Sequence, residues 1–183
     1  MAIITPLCNF GWKASDFELD DTLGVRQNLN TLRGPRGLLL MFICNHCPYV
    51  QAIIDRICRD ALELQGMGFG VAAIMSNDTD AYPDDSFANM QRVARALDFP
   101  FPYLYDATQK VARDYEAVCT PDFFGFNQDL ELQYRGRLDA SGRTTATPDA
   151  RRELVDAMRQ IAASGHGPAD QLASMGCSIK WRT

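Results

Sequence analysis

The chain has 183 residues, 46% of them apolar and 22% charged, which suits one domain able to bury roughly 70% of the surface of its unfolded form. A net charge of −5 argues against general nucleic-acid binding, and no stretch approaches the roughly 20 apolar residues that span a bilayer. Six cysteines in so long and apolar a chain exclude a disulfide-stapled mini-protein.

The segment Met1-Ala2-Ile3-Ile4-Thr5-Pro6 has neither a basic start nor a long apolar core, so no signal peptide is expected and the predicted location is cytoplasmic. Residues 8–37 read as a β-rich preface, in which Asp16-Phe17-Glu18-Leu19 alternates polar and apolar and Asp20–Gly24 supplies turn chemistry. After the punctuation of Gly34-Pro35-Arg36-Gly37, the continuous apolar run Leu38–Ile43 predicts a buried strand. Pro48 suits a first helical turn. Val50, Ile53, Ile54, Ile57, Ala61 and Leu64 follow at helical spacing, with Asp55, Arg56, Arg59 and Glu63 on the other face.

Val71–Met75 reads as a second buried strand, followed by the polar loop Ser76–Asp85 and a helix over about Ser86–Leu97. Pro100 and Pro102 bracket an extended link to Tyr103–Tyr105, and a short helix covers about Thr108–Tyr115. Phe123–Phe126, a turn at Asn127–Asp129 and Leu132–Leu138 read as a hairpin. A last helix runs from about Pro148 to Ala163 and is stopped by Gly165 and Pro168, leaving 165–183 as a C-terminal tail on a single domain spanning 1–183. This order predicts an α/β fold with a mixed sheet flanked by helices.

Chemistry concentrates at Cys44-Asn45-His46-Cys47, a Cys-x-x-Cys pair between a buried strand and a helix. A helix start favours a thiolate, and three-residue spacing brings the second sulfur close enough to close a disulfide. Cys44 is expected at the exposed lip as the attacking sulfur and Cys47 as the resolving one. His46 between them is expected to stabilise the Cys44 thiolate and raise the reduction potential. Structural zinc needs a second close ligand pair, and Cys8, Cys58, Cys119 and Cys177 are scattered, so no metal or cofactor is predicted.

Three landmarks resemble the thioredoxin-like superfamily, in its redoxin branch of alkyl hydroperoxide reductase/thiol-specific antioxidant and TlpA-like proteins. Ala14–Leu19 resembles the N-terminal redoxin strand, the Cys44–Cys47 dithiol follows the central strand, and Val118–Phe124 resembles the segment whose cis-proline faces the disulfide. The tail Gly176–Trp181, with the Cys-Asn-His-Cys-Pro-Tyr-Val motif, resembles a bacterial subgroup of that superfamily. The resemblance implies a thioredoxin-like fold with an N-terminal β extension. It also implies a site at Thr120 and Pro121 whose open backbone pairs with an extended partner chain.

Departures are also visible. Ile43 stands where a tryptophan usually precedes the dithiol, strand Leu38–Ile43 holds no acid, and no Thr-x-x-Cys frame of the peroxidase type fits either cysteine. The leading expectation is therefore a thiol–disulfide oxidoreductase acting on protein or small disulfides and recycled by a reductant such as thioredoxin or glutathione. A peroxiredoxin-like, antioxidant thiol peroxidase using the same cysteines is the alternative, and a Cu(I)-binding module through Cys44, His46 and Cys47 ranks below it; the only other histidine is His166.

Cys119 and Cys177 are auxiliary-thiol candidates, Cys177 in a tail expected to be mobile. Cys58 is expected in the core and Cys8 to be silent. Arg135 and Arg137 are expected to face water, and Asp78, Asp80, Asp84 and Asp85 to cap helices and stay solvated rather than hold calcium. Phe123, Phe124 and Phe126 are expected mostly in the core.

Overall fold

The computed structural model describes residues 2–183. In chain order the strands and helices are β1 (Ala2–Ile4), β2 (Leu19–Asp20), β3 (Arg26–Gln27), α1 (Leu29–Leu32), β4 (Leu38–Phe42), α2 (Pro48–Gln51), α3 (Ile54–Gly66) and β5 (Gly70–Met75). Then follow a single 3-10 turn (Pro83–Asp85), α4 (Phe87–Ala96), β6 (Tyr103–Tyr105), α5 (Lys110–Asp114), β7 (Cys119–Thr120), β8 (Asp122–Phe126), β9 (Leu132–Tyr134), α6 (Glu153–Ser164) and β10 (Met175–Ser178). No helix among the described residues is long and apolar enough to cross a membrane.

The central sheet has the order β6-β5-β4-β8-β9, with β4, β5 and β6 parallel and β8 and β9 antiparallel to their neighbours. All five side chains of β4 are buried because both faces of the sheet are covered. Leu39 and Met41 face a core with Ile57, Ala61, Met158 and Ile161, from α3 and α6. Leu38, Leu40 and Phe42 face the other side, with Leu29, Val111 and Tyr115. Each fully buried side chain of this kind contributes about 1.5–3 kcal/mol. The mixed sheet between helices is as the alternation of elements predicts, and the fold is thioredoxin-like, as the family resemblance implies.

Four local expectations are corrected. The helix after Pro48 is not continuous: Ile53 leaves the helical region (φ −126°) and bonds to Val50, three residues back, dividing it into α2 and α3. The preface is less β-rich than expected, with only the β2–β3 ribbon and a one-turn helix α1 closed by a reciprocal Asn28–Thr31 capping box. The last helix starts at Glu153 rather than Pro148, because Arg151 spends its carbonyl on the Ala140 N–H across a loop. The tail is an ordered strand rather than a mobile one: β10 lies between β1 and β7 in a second, three-stranded sheet.

Candidate active site

Strand β4 ends at Phe42, and Ile43 still bonds to Ile74 of β5, so Cys44 is delivered from the centre of the sheet. Cys47 is the N-cap residue of α2, with Pro48 in the first turn where a missing N–H costs nothing. Across the gap runs Cys119-Thr120-Pro121, whose Thr120–Pro121 peptide is cis, as the sequence resemblance implies. The Thr120 hydroxyl lies 3.4 Å from Cys44 Sγ, and the Thr120 carbonyl 3.1 Å from Cys47 Sγ, which donates to it when protonated. All six cysteines are free thiols.

Neither sulfur stands on an exposed lip. Cys44 is 2% exposed and Cys47 0%, because Thr120 closes over one side and the Pro83–Asp85 turn over the other. The two thiols are neighbours, and their surroundings push them in opposite directions. The interaction with Cys47, burial and the Asp85 carboxylate all push Cys44 up. The interaction with Cys44 pulls Cys47 down against the opposing effect of burial, with help from Thr120 and from the backbone at Cys177 and Val50. Helix α2 has only four residues, so discrete N–H donors supply this stabilisation rather than a long helix dipole.

The site residue that the sequence reading missed is Asp85. It is fully buried rather than solvated, and it gathers the dithiol loop: its carboxylate accepts from the Asn45 N–H (2.8 Å), the His46 N–H (3.3 Å) and the Asn77 amide (2.7 Å). Its Oδ2 also lies 2.6 Å from His46 Nδ1, and the His46 ring stacks on Tyr82 at 5.7 Å. A ring nitrogen of His46, a carboxylate oxygen of Asp85 and Cys44 Sγ lie within 4.8 Å of one another. Such a set has metal-ligand composition, yet Asp85 is already satisfied by nitrogen donors and is a hard ligand poorly matched to Cu(I). His166 is exposed beyond α6, near Glu131, and does not join it. No local pattern marks Asp85 in the sequence; forty residues separate it from the loop it holds.

Comparison with known proteins adds the lineage. A model described as the AhpC/TSA family matches residues 10–136. The chain belongs to the AhpC/TSA family. Among solved structures it is similar to an uncharacterized conserved protein from Geobacillus kaustophilus, at 39% identity over 100% of this chain and 97% of that one, with a TM-score of 0.93. A hypothetical protein from Sinorhizobium meliloti 1021 is similar at 33% identity over 98% of each chain, with a TM-score of 0.90. Peroxidoxin BcpB from Mycobacterium tuberculosis shares the fold at 18% identity, covering 86% of this chain and 94% of that one, with a TM-score of 0.58. No curated protein matches the chain. Membership in AhpC/TSA places the chain among redox proteins, as an oxidoreductase of thioredoxin-like fold.

Around this AhpC/TSA site several further expectations change. The backbone beside Pro121 is not open: β10 fills that edge, with Cys177 opposite Thr120 and Ser178 opposite Cys119. Gly176 makes the approach possible, since a Cβ there would lie 2.0 Å from the Thr120 carbonyl. Arg135 does not face water. It is 5% exposed, pairs with the buried Asp122 at 2.9 Å and lies 4.4 Å over the Phe124 ring. Arg137 is half-buried against Glu153 at 2.7 Å.

Cys119 is fully buried, donates to the Pro121 carbonyl at 3.7 Å, and is pushed up by burial and by Asp122. Burial likewise pushes Cys58 and Cys8 up to about 11, outside the range of ready thiolate chemistry. Phe123, Phe124 and Phe126 are all core, Phe123 on one face of the sheet and the other two on the opposite face. Phe123 and Pro121 also line a cleft of about 410 Å³ with Tyr49, Arg143 and Met175, where Arg143 lies 4.7 Å over the Tyr49 ring.

Proposed function

We propose that this AhpC/TSA protein is a dithiol oxidoreductase in which Cys44 and Cys47 cycle between two thiols and one disulfide. The observation that carries the reading is the placement of both sulfurs at the start of α2 against the cis Thr120–Pro121 loop, Cys44 Sγ 3.4 Å from the Thr120 hydroxyl and Cys47 Sγ 3.1 Å from the Thr120 carbonyl. Cys44 becomes a thiolate by passing its proton to the neighbouring Cys47. The Cys44 sulfur then attacks one sulfur of a substrate disulfide, whose other sulfur leaves as a thiolate and is protonated by solvent. Cys47 next attacks Cys44 Sγ, expelling the second substrate sulfur, which takes the proton that Cys47 held. The substrate disulfide ends as two thiols and the protein holds Cys44–Cys47.

The burial of both sulfurs and the occupied Thr120 edge favour small disulfides over extended protein chains, and a soluble thiol of the thioredoxin or glutathione class as reductant. The same burial supports a second reading, with a hydroperoxide as oxidant. The thiolate sulfur would attack the distal peroxide oxygen, giving a sulfenic acid and releasing water or alcohol, and the partner thiol would then expel water to form the disulfide.

The two readings separate in one experiment. Fully reduced protein and its Cys44→Ser and Cys47→Ser variants are mixed with glutathione disulfide or hydrogen peroxide by stopped flow. Disulfide exchange predicts loss of both thiols with glutathione disulfide, arrest of Cys47→Ser at a Cys44 mixed disulfide, and an ordinary thiolate rate with peroxide. A peroxide rate far above that of a small thiol, lost with one cysteine, would make the peroxidase reading the correct one. Retention of both thiols against both oxidants would overturn the dithiol cycle.

A further inference from the structure

Cys47 has two sulfur neighbours. Besides Cys44, Cys177 packs against the same apolar cluster and stands close enough for the two thiols to shift each other. The strand geometry fixes this contact. Cys177 pairs with Thr120 in the β10–β7 ladder, and the Thr120 carbonyl is the group that meets Cys47 Sγ at 3.1 Å. β10 cannot drift, because β1 pairs on its other side, with Ala2 opposite Cys177. The result is a row of three thiols, Cys44–Cys47–Cys177, with Cys47 in the middle.

The three differ in access. Cys44 and Cys47 are buried, whereas Cys177 is only partly so. A disulfide between the first two is shielded from a bulky reductant; one that includes Cys177 presents a sulfur to solvent.

We propose that Cys177 is a third redox thiol, and that the disulfide moves from Cys44–Cys47 to Cys47–Cys177 by exchange at the central sulfur. The Cys177 thiolate attacks Cys47 Sγ, the Cys44–Cys47 bond breaks, and Cys44 leaves as a thiolate that takes up the proton Cys177 gave up. No net oxidation occurs, since one disulfide replaces another. An external thiol then attacks Cys177 Sγ, releasing Cys47, and a second external thiol displaces the first from Cys177. The C-terminal strand thus carries oxidising equivalents from a buried pair to the surface. The route rests on the dithiol cycle for its entry at Cys44–Cys47, but the Cys47–Cys177 contact does not.

The test uses the full chain with glutathione disulfide as oxidant and peptide mapping under non-reducing conditions. In Cys44→Ser, Cys177 attacks glutathione disulfide and Cys47 displaces the bound glutathione, so an intramolecular Cys47–Cys177 cross-link is expected. In Cys177→Ser, Cys44–Cys47 still forms, but its reduction by glutathione is slower than in the wild type by about tenfold or more. Cys177→Ala, checked for native circular dichroism, guards against a folding artefact of the serine. A Cys44→Ser protein whose Cys47 and Cys177 stay reduced, or pair only between molecules, would overturn the proposal. So would wild-type reduction rates in both Cys177 variants. Failure of Cys177→Ser to form Cys44–Cys47 while Cys44→Ser forms Cys47–Cys177 would instead refute the dithiol cycle and leave the third thiol standing.

Discussion

Replacing Asp85 should unfasten the dithiol loop. Its carboxylate collects four donors: the Asn45 and His46 backbone N–H groups, the His46 ring and the Asn77 amide. In Asp85→Ala all four lose their acceptor. The loop groups regain some hydration, but Asn77 is 3% exposed and cannot reach bulk water without opening the site. At about 1–3 kcal/mol for each donor left buried, and less than additively within one network, the loss comes to about 3–5 kcal/mol. That is a large share of the roughly 5–15 kcal/mol that holds a domain folded. Asp85→Asn keeps one oxygen for the Asn45 N–H but turns an NH2 toward His46 or Asn77, and should cost about 1–3 kcal/mol.

Urea unfolding of the reduced protein reads this as a lower midpoint at unchanged slope. A second readout isolates the charge. Asp85 holds the Cys44 thiol up, so Asp85→Asn should speed alkylation of Cys44 at neutral pH relative to wild type. An Asp85→Ala protein within about 0.5 kcal/mol of wild type would refute the reasoning, because a change that small belongs to a surface residue.

Three more outcomes follow from the same geometry. In Arg135→Met the buried Asp122 loses its partner, so stability should fall by about 3–5 kcal/mol near neutral pH. Burial already raises the Asp122 carboxyl, so its contribution is present at low pH and is lost as pH rises through the folded value; the Arg135→Met defect should shrink on acidification toward pH ~4 in urea titrations. For the reduced dithiol, the depressed Cys47 makes stability rise with pH up to the ordinary thiol value of about 8.5, and the raised Cys44 makes it fall above that value. The difference in unfolding free energy between wild type and the Cys44→Ser/Cys47→Ser double variant should therefore peak near pH ~8.5, and a monotonic difference would contradict the assignment. Gly176→Ala puts a methyl against the Thr120 carbonyl, so it should cost about 1–3 kcal/mol by unfolding and raise the alkylation rate of Cys177 as β10 is pushed outward.

Local patterns in the chain encode its central strand and its dithiol. The run Leu38–Ile43 had to be a strand buried on both faces, since no alternation offers a solvent side, and Cys44 and Cys47 had to share one end of it. The Thr120–Pro121 landmark was legible only through the resemblance of Val118–Phe124 to the cis-proline segment of the thioredoxin-like superfamily. Electrostatics and access arise instead from contacts between distant segments. Asp85 reaches the dithiol across forty residues of chain, Arg135 finds Asp122 instead of water, and β10 brings Cys177 to Cys47 from the far end of the sequence. These are long-range pairings whose energy comes from desolvating specific partners together. A residue's own neighbours in sequence carry no record of which distant group will meet it.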